Sequence, residues 1–126
     1  MTAFFVEGIP SPQGSKKHIG NGRMIESSKT LPAWRTAIKQ ATQQHHEGEP
    51  IDQPVKVTVD FFMPKPAKPM FDIPATAPDL DKLCRAIGDG LEQGGALRND
   101  SRIVEWVARK HYATDMTGAH IEITTL

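Results

Sequence analysis

Val55 to Met63, VKVTVDFFM, alternates with almost no fault: Val55, Val57, Val59 and Phe61 are apolar, while Lys56, Thr58 and Asp60 between them are polar. A period of two places every second side chain on one face of a strand, so this segment must bury one face against a core. Pro64 ends it. The next periodic stretch has a different spacing. Leu80, Leu83, Cys84, Ile87 and Leu91 fall at i, i+3, i+4, i+7 and i+11, the apolar stripe of an amphipathic helix. Pro78-Asp79 opens that helix and Gly94-Gly95 terminates it, with Asp79 and Asp81 where a helix N-terminus favours negative charge. Ile103 to Tyr112 then reads as a second strand. A strand, a helix and a strand over this length make a crossover that joins parallel strands and is expected to be right-handed.

The remaining elements are shorter. Thr2 to Glu7 is a β-prone run stopped by Gly8-Ile9-Pro10. Ser11 to Met24 carries three glycines and no hydrophobic period, and reads as a loop. A helix is expected from about Leu31 to His45, with Pro32 in its first turn, Trp34, Ala37, Ile38 and Ala41 on one face, and Gly48-Glu49-Pro50 closing it. Pro64 to Pro78 holds five prolines and is an extended loop. Ala119 to Thr124 is the last strand, with Gly118 marking the turn before it and an antiparallel relation expected to the strand it follows. The order is β-α-β-α-β-β: an α/β (α+β) single domain over residues 1–126, a mixed sheet with helices packed on it.

Composition bounds the function. At 126 residues, 38% hydrophobic and 24% charged, the chain suits one soluble domain that buries roughly two-thirds of its unfolded surface. No apolar run approaches the ~20 residues of a membrane span, and no export leader is visible. A lone Cys84 can neither staple the chain nor build a sulfur-ligated zinc site, so the expected compartment is the cytoplasm. The 15 basic and 15 acidic residues cancel, which at first argues against nucleic acid. Their distribution says otherwise. Ser11 to Lys39 has six bases against Glu26 alone, whereas Asp79 to Asp100 has five acids and three bases. A basic stretch beside an acidic centre suits an anionic ligand next to a cation site, although solvated faces sort in the same way.

The sharpest constellation is Asp79-Leu80-Asp81 with Asp100. Leu80 belongs to the core stripe, which turns the two aspartates elsewhere, and they converge on one cation if Asp79 is still extended. Asp100 lies just before the strand that the crossover sets beside Val55–Met63. Three carboxylates at one sheet edge form a hard-oxygen site of the kind Mg²⁺ takes. Taken singly, each also has a plain structural account: Asp79 as N-cap, Asp81 as a first-turn residue, Asn99-Asp100 as a turn.

The segment PDLDKLCRAIGDGL followed by LRNDSRIVEW resembles the RusA-type Holliday junction resolvases, endonucleases of four-way DNA junctions. In that family a D-L-D motif opens a helix and a further aspartate follows a short loop. Asp79 and Asp81 match the first motif, and Asp100 the third carboxylate, with Ile103 in the place of a valine. GIPSPQGSKKHIGNGRMIESS, LPAWR and FFMPKP are similar to the phage and actinobacterial branch, so the resemblance runs along nearly the whole chain. It departs at three places. Arg85 stands where some members have an active-site lysine, Asn99 where many have another aspartate, and the loop before D-L-D carries only Lys65 and Lys68.

What the resemblance implies is a Mg²⁺-dependent nuclease, with Mn²⁺ the alternative ion, in recombination and repair. Asp79, Asp81 and Asp100 would be the metal ligands, and Arg85 or Lys82 the phosphate-facing cation. Lys16, Lys17, Gln13 and Ser15, with Lys65 and Lys68, would contact the DNA. Branched DNA is the implied partner, and paired symmetric cuts imply a C2 homodimer. The competing readings are a nucleic-acid-binding module whose aspartates only cap and turn, and a D-x-D transferase, for which the chain is short. Trp34 is expected in the core, Trp106 against a helix or at a dimer contact, His45-His46 at the helix dipole, and Cys84 as a small core residue.

Overall fold

The structure is a computed structural model that describes residues 1–14 and 29–126. Its elements are β1 (Thr2–Glu7), α1 (Leu31–His45), β2 (Val55–Met63), α2 (Leu80–Gln93), a 3-10 turn (Asp100–Arg102), β3 (Ile103–Tyr112) and β4 (Gly118–Thr125). They form one four-stranded mixed sheet in the order β1-β4-β2-β3. The alternation of β2 is realised as read: Val55, Val57, Val59 and Phe61 are fully buried, and the residues between them only half so.

The parallel crossover is present, with β2 beside β3 and Val59 opposite Ala108. The last two strands depart from the simple expectation. They run antiparallel to each other but are not neighbours, because β4 lies between β1 and β2 and pairs antiparallel with both. The link from β3 to β4 passes over the end of β2, where the Ala113 N–H donates to the Met63 carbonyl at 2.8 Å. Burial explains the choice. Ala119, Ile121 and Ile123 of β4 are almost wholly buried, whereas β3 keeps Val104 and Trp106 exposed and suits an edge. Gly118 makes the entry possible. Its φ is +154°, and a Cβ there would stand 2.1 Å from the Val6 carbonyl oxygen.

The two helices complete the core. Trp34 and Ile38 of α1 meet Leu83, Ile87 and Leu91 of α2 in one cluster with the buried residues of β2 and β4. The helices approach closely at Gly90, where any Cβ would fall 2.3 Å from Ile38 Cγ2. Trp34 is therefore a core residue, as expected. At the end of α1, His45 donates to the Ala41 carbonyl at 2.9 Å and stacks on Phe4, in keeping with a histidine among the last carbonyls of a helix. No helix among the described residues is long and apolar enough to cross a membrane.

Candidate active site

The proline-rich segment delivers Asp79 to the start of α2 in an extended conformation, φ −68° and ψ 139°. Its side chain does not cap the helix. Asp79 Oδ2 instead accepts a hydrogen bond from Lys82 Nζ at 3.2 Å, a pair open to solvent. Both residues line a cleft of about 570 Å³ walled by Pro12, Met63, Pro64 and Tyr112.

Asp81 faces a different cleft, of about 870 Å³. Asp81, Arg85 and Asp89 recur every fourth residue, so they form one stripe down α2, and all three line this cleft. Asp100, Ile103 and Trp106 line it from the start of β3. The crossover is what brings the two walls together, since it sets β3 beside the strand that feeds α2. Gly88 keeps the helix surface bare opposite Asp100, whose Oδ2 lies 3.7 Å from where a Cβ would be.

Asp100 is held by the turn that Asn99 caps: Asn99 Oδ1 accepts from the Ser101 N–H at 2.8 Å. That is a local reason for asparagine at this position. The Asp100 N–H donates to Glu92 Oε1 at 2.9 Å. Burial pushes the Asp100 carboxyl above the usual carboxylate range, and the charges of Glu92 and Asp89 and a hydrogen bond with Asp89 push it further. Asp89 in turn accepts from Gln13 Nε2 and lies 3.9 Å from Arg35 Nη2. Gln13 is fixed at both ends, because its N–H also donates to the Lys82 carbonyl at 3.0 Å. Cys84 is half-buried on the same wall. Burial, with Asp81 beside it, pushes its thiol up to about 11, so it stays protonated near neutrality.

The residues singled out in the sequence therefore divide. Asp81, Asp100 and Arg85 share one cleft, while Asp79 and Lys82 sit at the next and hold each other. Gln13 lies inside the acidic cleft. Lys65 and Lys68 are exposed on the proline-rich segment, with Lys65 Nζ 5.9 Å above the Tyr112 ring. Ser15, Lys16 and Lys17 lie outside the described residues. Trp106 is 38% exposed and lines the cleft instead of being buried against a helix. Sequence reasoning passed over Asp89 and Glu92. The signal for Asp89 was available in its spacing of eight from Asp81. Among the described residues, no three acidic, histidine or cysteine side chains stand close enough to hold a metal ion as placed.

A one-sheet α+β domain with an acidic cleft beside its parallel strand pair is the class defined by this geometry. Within that class, the sequence matches the family model Endodeoxyribonuclease RusA over residues 6–124, and the chain belongs to that family. A search of curated proteins finds no match. The family is one of endodeoxyribonucleases, hydrolases that cut phosphodiester bonds within a DNA strand.

Proposed function

We propose that this protein is a Mg²⁺-dependent endonuclease that resolves four-way DNA junctions by paired symmetric nicks, acting in the cytoplasm in recombination and repair. The observation that carries the reading is the convergence of Asp81, Arg85 and Asp100 on one open cleft in a RusA-family chain. The donors there are carboxylate and amide oxygens, which suit a hard cation. Mg²⁺ needs only one or two carboxylates, because waters and substrate phosphate fill its remaining positions. That no three such side chains form a closed cage among the described residues is therefore compatible with it.

Asp81 and Asp100 would hold the ion, with Asp79 at the neighbouring cleft as a further carboxylate. When bound, Mg²⁺ supplies an activated water and neutralises charge on the phosphoryl oxygens. Arg85, one turn below Asp81, binds the phosphate and orients it through the planar fork of its guanidinium. Asp100, crowded by other carboxylates, favours a positive partner at that point. The protonated Cys84 thiol takes no nucleophilic part. Lys65 and Lys68, with Lys16, Lys17 and Ser15, offer charge and donors to the DNA backbone. Two symmetric cuts require two such clefts related by a twofold axis, hence a homodimer.

A labelled mobile four-way junction, incubated with and without Mg²⁺ alongside Asp81→Asn, tests this. Paired nicks that need the metal and vanish in the variant, with binding retained, are expected. Binding without metal-dependent nicks, or nicking untouched by the substitution, would leave a DNA-binding module in its place.

A further inference from the structure

We propose that Met70, Phe71 and Ile73 form an apolar wedge that enters the base stack where the arms of a branched DNA meet. The inference rests on the junction reading above and is independent of its metal, because it concerns how the DNA is held and not how it is cut.

Three observations carry it. First, these side chains are 76%, 50% and 64% exposed. Single exposed apolar residues are ordinary on a protein surface, but a group of them marks a binding surface. Among the described residues, no other stretch this short exposes three large apolar side chains. They lie between β2 and α2 in a segment with neither helix nor strand, so no amphipathic element accounts for them.

Second, the tip is braced. The five prolines from Pro64 to Pro78 restrict its backbone. Both of its arms are tied to the end of β3. On the outgoing arm Lys65 Nζ stands over the Tyr112 ring, and on the returning arm Lys110 Nζ donates to the Thr76 and Pro78 carbonyls at 2.9 Å and 2.8 Å. Pro74, next to Ile73, is buried. A tip already ordered before binding loses little entropy on insertion, which is what a wedge requires.

Third, the surroundings fit DNA. Lys65 and Lys68 are exposed just before the tip and suit phosphates flanking an opened base step. Ile73 shares a groove of about 470 Å³ with Lys65, Arg109 and Lys110, where Asp72 is the only acid. The returning arm also walls the cleft that holds Asp79 and Lys82, so the wedge belongs to the segment that delivers a site carboxylate. Methionine, phenylalanine and isoleucine are side chains by which proteins part base steps, and parting costs least where pairing is already interrupted. A wedge of this kind separates branched from linear DNA without reading sequence.

The test uses the full chain without divalent metal, so that nothing is cut. A four-way junction carrying 2-aminopurine beside the branch point should brighten when the wild-type protein binds. Phe71→Ala should remove most of that signal and weaken junction binding about tenfold, the scale of one base stacked on an aromatic ring, with linear duplex binding changed less than about twofold. Phe71→Trp should retain both. Lys65→Ala combined with Lys68→Ala should instead weaken junction and duplex together and flatten the salt dependence. Circular dichroism checks that each variant is folded, and Phe71→Gln replaces Phe71→Ala if that variant is not. Brightening that survives Phe71→Ala, or equal losses on junction and duplex in that variant, would overturn the proposal. Sedimentation in which Phe71→Ala dissociates a dimer would assign the tip to a second copy of the chain and overturn it as well. Wild-type protein that prefers the junction without any brightening sinks this inference alone. Wild-type protein that holds junction and duplex alike sinks it together with the junction reading.

Discussion

Asp60 lies within β2 and Asp100 in the 3-10 turn that leads into its parallel neighbour β3, and their acidities move in opposite directions. Asp60 accepts from Arg109 Nε at 2.8 Å and Nη2 at 3.3 Å, and His111 Nε2 stands 2.8 Å away. The hydrogen bond from Arg109 holds its carboxyl below the usual range, with a smaller contribution from His111 and against the effect of burial. At Asp100, burial acts upward and the neighbouring groups, Glu92 and Asp89, are themselves acids. A carboxylate already surrounded by donors contributes to stability and has little left to offer a ligand. One crowded by its own kind is held against its preference, and a bound cation removes the conflict.

The largest expected effect separates these roles. Asp100→Asn should reduce junction cleavage on the order of 100-fold or more, since metal-supplied stabilisation amounts to several kcal/mol. Its melting temperature should hold or rise, because the substitution removes a repulsive charge. A melting temperature that falls while cleavage survives would break the comparison.

Asp60→Asn should behave in the opposite way. We expect a loss of about 1 kcal/mol at neutral pH, the scale of a partly exposed hydrogen-bonded ion pair, with cleavage within about twofold of wild type. The pH dependence sharpens this. Asp60 has a lowered folded pKa, so its contribution is present above its unfolded value and is lost as pH falls through the folded one. Asp100 has a raised folded pKa, so its effect favours the fold at low pH and is lost as pH rises through that value. Urea melts from about pH 3 to about pH 7 should therefore lose acid sensitivity in Asp60→Asn and lose the opposing slope in Asp100→Asn.

Lys82→Ala marks the lower end. It releases an exposed pair with Asp79, worth less than about 0.5 kcal/mol. Cleavage should stay within about twofold, whereas Arg85→Ala should reduce it at least tenfold. Equal losses in the two variants would place the phosphate at both clefts.

How much of this was legible in the chain differs from residue to residue. The β2 alternation and the α2 stripe are local periodicities, and both elements form where those periods lie. The position of β4 was not legible, because a period of two says that one face is buried and not which strands lie alongside. The D-x-D spacing had the same limit. It placed Asp79 and Asp81 at a loop-to-helix junction but could not say that Asp79 would turn to Lys82 while Asp81 faced the other cleft. Asp89 was within reach of helix periodicity. Gln13 was not: its partner lies 76 residues away, and only the folded chain brings a loop glutamine to that carboxylate.

The placement of β4 has a consequence for how the enzyme comes into being. Among the described residues β1 pairs with β4 alone, with Thr2 opposite Ile123, so the earliest strand waits for the latest. Such pairing closes a very long loop, and its entropy is lost before any contact compensates, which makes the step slow. Asp100 and α2 are made before β4, but β1, the strand that leads into Gln13, is secured to the sheet through it. An immature chain would thus hold the carboxylates without the strand that anchors the approach to Gln13, so that the wall of the cleft is completed last.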